Sequence, residues 1–283
     1  MRINRILNNN VVVVKEGDEE IIVMGSGIAF GKKKNDVIVV DKVEKVFVMK
    51  DKSEYEKFTQ IIDQLPEIHI VIAEEIISWA EKKLKTKLHE HIHVALTDHI
   101  SFAIERHQQG FQLHNKLLNE IRVLYAKEYE IGLWAINHIK NRLSISLPED
   151  EAGHIALHIH TAKMESSTMT QAVNTTTLLN ELIEIIEKKL KVKLDQDSIS
   201  YQRLLTHLNF ALRRMKEGQP FQDVDEEMHQ LVQEKHRNSY QIAEQLKEYL
   251  ASCYQYELPV SELVYLTLHI QRINRNKLKE VEE

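Results

Sequence analysis

The N-terminal part of the chain, residues 1–50, contains four short runs of β-branched and other apolar residues, separated by turns rich in glycine, asparagine and charged side chains. The runs cover residues 11–14, 21–24, 37–40 and 46–49. Such runs are typical of β-strands, so the pattern predicts an antiparallel meander of about four strands. Because so small a sheet has little core of its own, we expect it to pair with a second copy or to dock on the rest of the chain, with dimerisation the simpler expectation.

From about residue 51 the apolar residues recur at the helical period, as in Ile72, Ile76 and Trp79. Two stretches lack that period, residues 50–56 and 165–176, and their polar composition is typical of linkers. The pattern therefore predicts a multi-domain chain with α and β parts: a small antiparallel all-β domain and two all-α helical bundles, at residues 1–54, 57–168 and 172–279.

The two helical halves resemble each other. Residues 81–88 match 187–194 at seven of eight positions, and two further pairs of segments align in the same order, 98–106 with 206–214 and 147–159 with 258–270. The offset between matching segments grows only slowly along the chain. Three ordered matches indicate a tandem duplication of one helical bundle.

Composition narrows the classes of protein. Charged residues make up 28% and hydrophobic residues 43% of the chain, and no apolar run approaches the roughly 18–20 residues that span a bilayer, so we expect no membrane insertion. The net charge of −6 divides into +2 for residues 1–50 and −8 for the remainder, which suggests different partners for the two parts. With the single Cys253 and no visible secretory signal, we expect a cytoplasmic protein.

Four of the 15 histidines are selected by the duplication, since His99 aligns with His207 and His158 with His269. The simplest interpretation is a hydrogen-bonded histidine inherited with each bundle core. A neutral imidazole is also a nucleophile at physiological pH, and a phosphoryl group carried on it can pass to another histidine at little cost. Paired histidines on duplicated bundles therefore favour phosphoryl acceptor sites.

A metal site is a further alternative. His154 and His158 are spaced i,i+4, and His91 and His93 alternate, but the second copy has Tyr265 in place of His154 and no cysteine ligands accompany the group. No motif of nucleophilic hydrolysis or nucleotide binding is present. The sequence therefore predicts no catalytic residue, no metal and no cofactor.

With these motifs in hand, the chain resembles the BglG/SacY/LicT family of transcriptional antiterminators over essentially its whole length. The segments 4–10 and 23–33 are similar to the family's co-antiterminator RNA-binding domain. The segments 96–100 and 147–159 resemble the first phosphotransferase-system (PTS) regulation domain, and 206–210 and 265–270 the second. Segments 89–100 and 108–111 look most like the glucose-permease type, with the sucrose and β-glucoside types left open.

The resemblance implies a homodimer that binds a hairpin in leader mRNA and prevents formation of an overlapping terminator. It also implies that the carrier protein HPr and the sugar-specific enzyme II phosphorylate His99, His158, His207 and His269. In the first domain phosphorylation by enzyme II would be inhibitory, and HPr is the expected donor to the second. Carried over by position, the RNA-binding residues would be Arg5, Asn10, Gly25, Ser26, Gly27, Phe30, Lys32 and Lys33.

The residue types of that segment suit RNA, because glycines let the backbone approach closely, Phe30 can stack on a base and lysines can meet phosphates. Ser26 departs from relatives that carry a basic residue there, which leaves affinity and hairpin choice open. The alternative for this segment is a β-turn with solvated lysines. Rival functions for the whole chain are a phosphohistidine-carrying transferase and a sugar-regulated DNA-binding activator, the latter disfavoured because no helix is predicted within 1–50.

Overall fold

The computed structural model describes residues 1–16, 19–47, 56, 58–59, 62, 64–111, 113–163, 169–221 and 223–282. The chain begins with a four-stranded antiparallel sheet in the order β1-β2-β3-β4, with bounds Ile3–Asn8, Val11–Glu16, Glu19–Met24 and Lys45–Phe47. The predicted antiparallel meander is therefore confirmed.

Two details of the predicted sheet are wrong. The run at 37–40 is not a strand: Val37 makes only an isolated bridge to Arg2, and Val40–Lys42 is a short 3-10 turn. This run inserts a single side chain, Ile38, into the core while its neighbours stay exposed. The sequence does not predict strand β1 because half of its residues are polar and it contains no run of β-branched residues. Its pairing with β2, interrupted by two register shifts, defines it.

Both faces of the sheet are buried, as the alternation of side chains along a strand requires. On one face Val12, Val14 and Val23 pack against Ile28 and Ile38 of the following loop. On the other face four strand residues pack against three helical side chains; the seven are Val11, Val13, Ile22, Met24, Phe58, Ile62 and Ile70. The helical part of the chain thus supplies the burial that the sheet lacks, and pairing with a second copy stays a prediction.

From residue 67 onward the described part of the chain contains ten helices, five from each repeat in the same order. Those of the first repeat are α1 Glu67–Leu84, α2 His91–Gln108, α3 Leu118–Leu124, α4 Ala126–Leu143 and α5 Glu149–Lys163. Those of the second are α6 Met169–Leu190, α7 Ile199–Glu217, α8 Glu226–Lys235, α9 Arg237–Tyr254 and α10 Val260–Glu282. The two homologous all-α parts follow the predicted duplication.

The repeated segment that ends α1 and α6 has a local structural role. Glu81 accepts a hydrogen bond from the backbone N–H of Leu88 at 3.1 Å, and Glu187 accepts the equivalent bond from Leu194 at 2.9 Å. In both copies the residue after the helix, Lys85 in the first, adopts the left-handed conformation. The matching residues therefore encode the same helix ending twice.

The predicted linker at 165–176 is wrong from residue 169 onward, because α6 begins at Met169. Its first turns face inward through Ala172 and Thr176, and the Thr176 hydroxyl donates to the Ala172 carbonyl at 2.8 Å. Small and hydroxylated residues thus occupy the buried positions that a search for large apolar residues overlooks. Most of the other predicted linker, 50–56, lies outside the described residues.

The chain divides into two compact units. The first comprises Met1–Asn115 and Lys127–Thr168, and the second comprises Lys116–Ala126 and Met169–Glu283. Helix α3 therefore belongs to the second unit, where Glu120 accepts a hydrogen bond from Tyr201 at 3.0 Å. The domain boundaries drawn from the sequence stay predictions.

Within the first unit an ionic cluster joins the sheet to the helices. The buried carboxylate of Glu74 on α1 binds Lys45 of β4, and its other oxygen lies 2.7 Å from Nδ1 of His93 on α2.

No helix in the described part of the chain is long and apolar enough to cross a membrane.

Candidate functional sites

In the first unit, helices α2 and α5 bring His99 and His158 together. The two ring centroids lie 4.9 Å apart at an interplanar angle of 41°, and His154, one helical turn before His158, lies 5.6 Å from His99. Nε2 of His99 is 3.1 Å from a carboxylate oxygen of Glu151, a side chain that is only 2% exposed. The other oxygen of Glu151 binds Arg106.

In the second unit, α7 and α10 reproduce this arrangement. The ring centroids of His207 and His269 are also 4.9 Å apart, at 31°, and Tyr265 occupies the position of His154. Nε2 of His207 lies 2.9 Å from the buried carboxylate of Glu262. All four histidines selected by the duplication are thus brought together in pairs, each beside one buried glutamate.

Glu151 and Glu262 had no functional role assigned from the sequence. A signal was available, because they align at the same offset as His158 and His269. Their importance becomes visible only when the helices pack, since each glutamate is far in sequence from the α2 or α7 histidine that it contacts.

One imidazole of each pair is held neutral. Burial, reinforced by the nearby His99, lowers the pKa of His158 from 6.5 to about 3. Burial, reinforced by His207 and two arginines, lowers the pKa of His269 to about 4. Burial also lowers the pKa of His154. Near neutral pH these rings keep a nitrogen lone pair.

The carboxylate of the first site remains ionised. Burial alone would raise the pKa of Glu151, but the interactions of its carboxylate with His99 and Arg106 outweigh burial and lower that pKa. A carboxylate bound to one ring nitrogen orients the imidazole and fixes which nitrogen is free. Among the described residues no cluster of three or more histidine, cysteine, aspartate or glutamate side chains is placed to hold a metal ion.

The predicted RNA-binding segment forms an exposed turn after β3. Gly27 has a φ of +61°, and a Cβ at Gly25 would collide with the Lys42 carbonyl oxygen, so both positions require glycine. The Asn10 side-chain oxygen accepts a hydrogen bond from the Gly27 N–H. Asn10 and Gly25 therefore shape the turn from within.

Two side chains at this turn were not identified from the sequence. Glu44 accepts a hydrogen bond from the Ser26 N–H at 3.1 Å, and the Lys42 ammonium donates to the Gly27 carbonyl at 3.3 Å. Lys42 ends the 3-10 turn and Glu44 directly precedes β4, and only the folded chain reveals that they approach the turn after β3.

The remaining predicted residues differ in how freely they face solvent. Phe30 is 76% exposed, and Ser26, Lys33 and Arg5 are exposed as well. The Lys32 ammonium donates a 3.2 Å hydrogen bond to the Val37 carbonyl and is therefore less available to a ligand than an unbound ammonium. Arg5 lies on β1 opposite Val13, away from the turn in sequence.

The chain matches two protein families along its length. Residues 1–56 match the CAT RNA binding domain, and residues 74–162 and 180–273 each match the PRD domain. It is 39% identical to "Transcription antiterminator LicT" of Bacillus subtilis (strain 168), covering 96% of this chain and 99% of that protein. It is 37% identical to the "Beta-glucoside operon antiterminator" of Dickeya chrysanthemi, covering 99% of both chains.

Relatives of the glucose type are also similar. The "PtsGHI operon antiterminator" of Bacillus subtilis (strain 168) is 35% identical, with 98% of both chains covered. The solved "Crystal structure of GlcT CAT-PRDI" superposes with a TM-score of 0.54 at 40% identity, covering 58% of this chain and 98% of that one. These identities do not single out the glucose branch. The chain therefore belongs to the family of transcriptional antiterminators in which a CAT RNA-binding domain is followed by two PRD domains that place it under phosphotransferase-system control.

Proposed function

We propose that this antiterminator acts in the cytoplasm as a homodimer, binds a hairpin in the leader mRNA of a sugar-uptake operon and prevents the overlapping terminator from forming. Its activity is set by phosphoryl groups on His99, His158, His207 and His269. HPr donates the phosphoryl group to the second repeat. The sugar-specific enzyme II phosphorylates the first repeat when sugar is absent, and this phosphorylation is inhibitory. The glucose branch stays our prediction for the sugar.

The observation that carries the regulatory part is the pairing of imidazoles in both repeats, with ring centroids 4.9 Å apart in each. A hydrogen-bonded histidine in the bundle core would explain the histidine that contacts a glutamate. It would not explain why each repeat places a second imidazole, desolvated and neutral, against the first. A neutral ring nitrogen at a partly exposed position is what a phosphoryl donor requires.

The RNA-binding part is supported by the turn after β3. A phenylalanine that is 76% exposed packs no core and offers a face on which a splayed base can stack. Exposed Ser26 and Lys33 lie within the same short segment and can reach the RNA backbone. Asn10 and Gly25 act indirectly in this proposal, by holding the turn in shape.

The test is transcription in vitro from a template that carries the leader and terminator of the neighbouring permease gene. Unphosphorylated full-length protein is expected to raise readthrough, and prior incubation with phosphoenolpyruvate, enzyme I, HPr and the enzyme II is expected to change it. A quadruple variant should still raise readthrough but should no longer respond to the phosphorylating mixture; its substitutions are His99→Ala, His158→Ala, His207→Ala and His269→Ala. Loss of the response in a variant altered instead at the exposed His114 would contradict the assignment.

A further inference from the structure

The two histidine sites differ in the charges around them. In the second unit the paired rings open into a groove of about 480 Å³, lined by Arg203, Thr206 and Phe210 as well as His207 and His269. Arg203 places a positive charge on the wall of this groove, whereas the carboxylate of Glu262 is buried and lies against His207.

Two arginines flank these rings. Arg203 precedes His207 by four residues on α7, and Arg272 follows His269 by three residues on α10, so each lies on the same helix face as its histidine. Both guanidinium groups are exposed, and no described carboxylate pairs with either. Their charges reach His269, whose pKa is lowered first by burial and then by His207, Arg272 and Arg203.

The first repeat lacks this pair. Ala95 and Thr161 stand at the positions of Arg203 and Arg272, and the exposed Asp98 stands at the position of Thr206. The arginine of the first site, Arg106, is bound to Glu151. The two sites therefore share the histidine pair and the glutamate but not the unpaired cations.

We propose that Arg203 and Arg272 form a phosphoryl-binding pair that holds the phosphoryl group carried by His207 or His269, so that the second repeat retains phosphate more strongly than the first. This inference rests on the proposed function. A guanidinium matches phosphoryl oxygens in charge and hydrogen-bond geometry, and two guanidinium groups balance the charge of about −1.5 to −2 that a phosphoryl group adds.

The transfer itself needs no further reactant. The N–P bond of the phosphohistidine on HPr breaks, an N–P bond forms on the acceptor ring, and the proton released by the acceptor ring is taken up by the freed ring of HPr. The arginines are positioning residues, because they bind the group being carried and exchange no proton. They stabilise the phosphorylated form and not the free one, and should shift the transfer equilibrium toward this chain.

The experiment measures that equilibrium with full-length protein. Radiolabelled phospho-HPr and HPr are mixed with the chain at several fixed ratios, and site-resolved mass spectrometry gives the phosphorylated fraction in each repeat. In the double variant Arg203→Gln, Arg272→Gln, the equilibrium constant for phosphoryl transfer from HPr to the second repeat should fall about tenfold or more, since charged hydrogen bonds to the phosphoryl group are lost. That of the first repeat should not change.

Matched variants separate this role from others. Arg213→Gln, on the same helix but paired with Glu217, should behave like the wild type, and Arg203→Lys, Arg272→Lys should recover part of the loss. A role in docking HPr would change forward and reverse rates equally and leave the equilibrium constant unchanged. An unchanged constant in the double glutamine variant would overturn the inference alone, whereas wild-type protein that takes no label on the second repeat would overturn the proposed function with it.

Discussion

Replacing the buried glutamate beside each histidine pair should destabilise the two repeats unequally. Glu151 is 2% exposed and binds both His99 and Arg106, so Glu151→Gln leaves a mostly buried guanidinium without its counter-charge. Removing one partner of a buried pair costs about 3–5 kcal/mol. Glu262 pairs with His207, whereas Arg214, at the position of Arg106, lies over the ring of Phe221. Glu262→Gln should therefore cost only about 1.5–3 kcal/mol.

The assay can follow the first unit by itself, because both tryptophans of the chain, Trp79 and Trp134, belong to it. Urea unfolding monitored by tryptophan fluorescence should show the midpoint of Glu151→Gln lowered by about 1.5–2.5 M, taking a slope of roughly 2 kcal/mol per M. The exposed Glu105→Gln on the same helix α2 is the control and should change stability by less than about 0.5 kcal/mol.

The effect should also depend on pH in one direction. Because the pKa of Glu151 is lowered in the folded chain, its stabilising contribution is complete above the ordinary value of 4.5 and is lost as the pH falls through the lowered value. The difference between wild type and Glu151→Gln should therefore be full at pH 7 and shrink in acid. An unfolding midpoint of Glu151→Gln equal to that of the wild type, or a difference that grows in acid, would refute this account of the first site.

Three further predictions concern function. Phe30→Ala should weaken binding of the leader hairpin by about 1–3 kcal/mol in gel-shift titrations while the melting curve stays unchanged, because the ring is exposed; Lys33→Ala should cost less and reduce the salt slope by about 0.9 or less. His99→Ala should give antitermination without inducer in a reporter strain, and a silent reporter would reject an inhibitory role for this histidine. His158→Asp should weaken self-association of the full chain in sedimentation because it adds charge among half-buried rings, whereas His158→Ala should not.

Much of the architecture follows from local patterns in the sequence. The apolar runs at 11–14 and 21–24 are strands because alternate side chains must enter two separate cores. The duplicated segments locate the four histidines, since residues kept at one offset in two copies occupy equivalent places in two bundles. The family resemblance rests on these same segments, and the matches to the CAT and PRD domains confirm it.

Tertiary structure decided what depends on distant contacts. Strand β1, half of whose residues are polar, is defined by its pairing with β2. Residues 37–40 are not a strand because the loop inserts only Ile38 into the sheet core. The roles of Glu151 and Glu262 appear only when helices that are distant in the sequence pack side by side. Sequence patterns report which face of a segment is apolar, but the partner of a buried charge is selected by the packing that removes water from it.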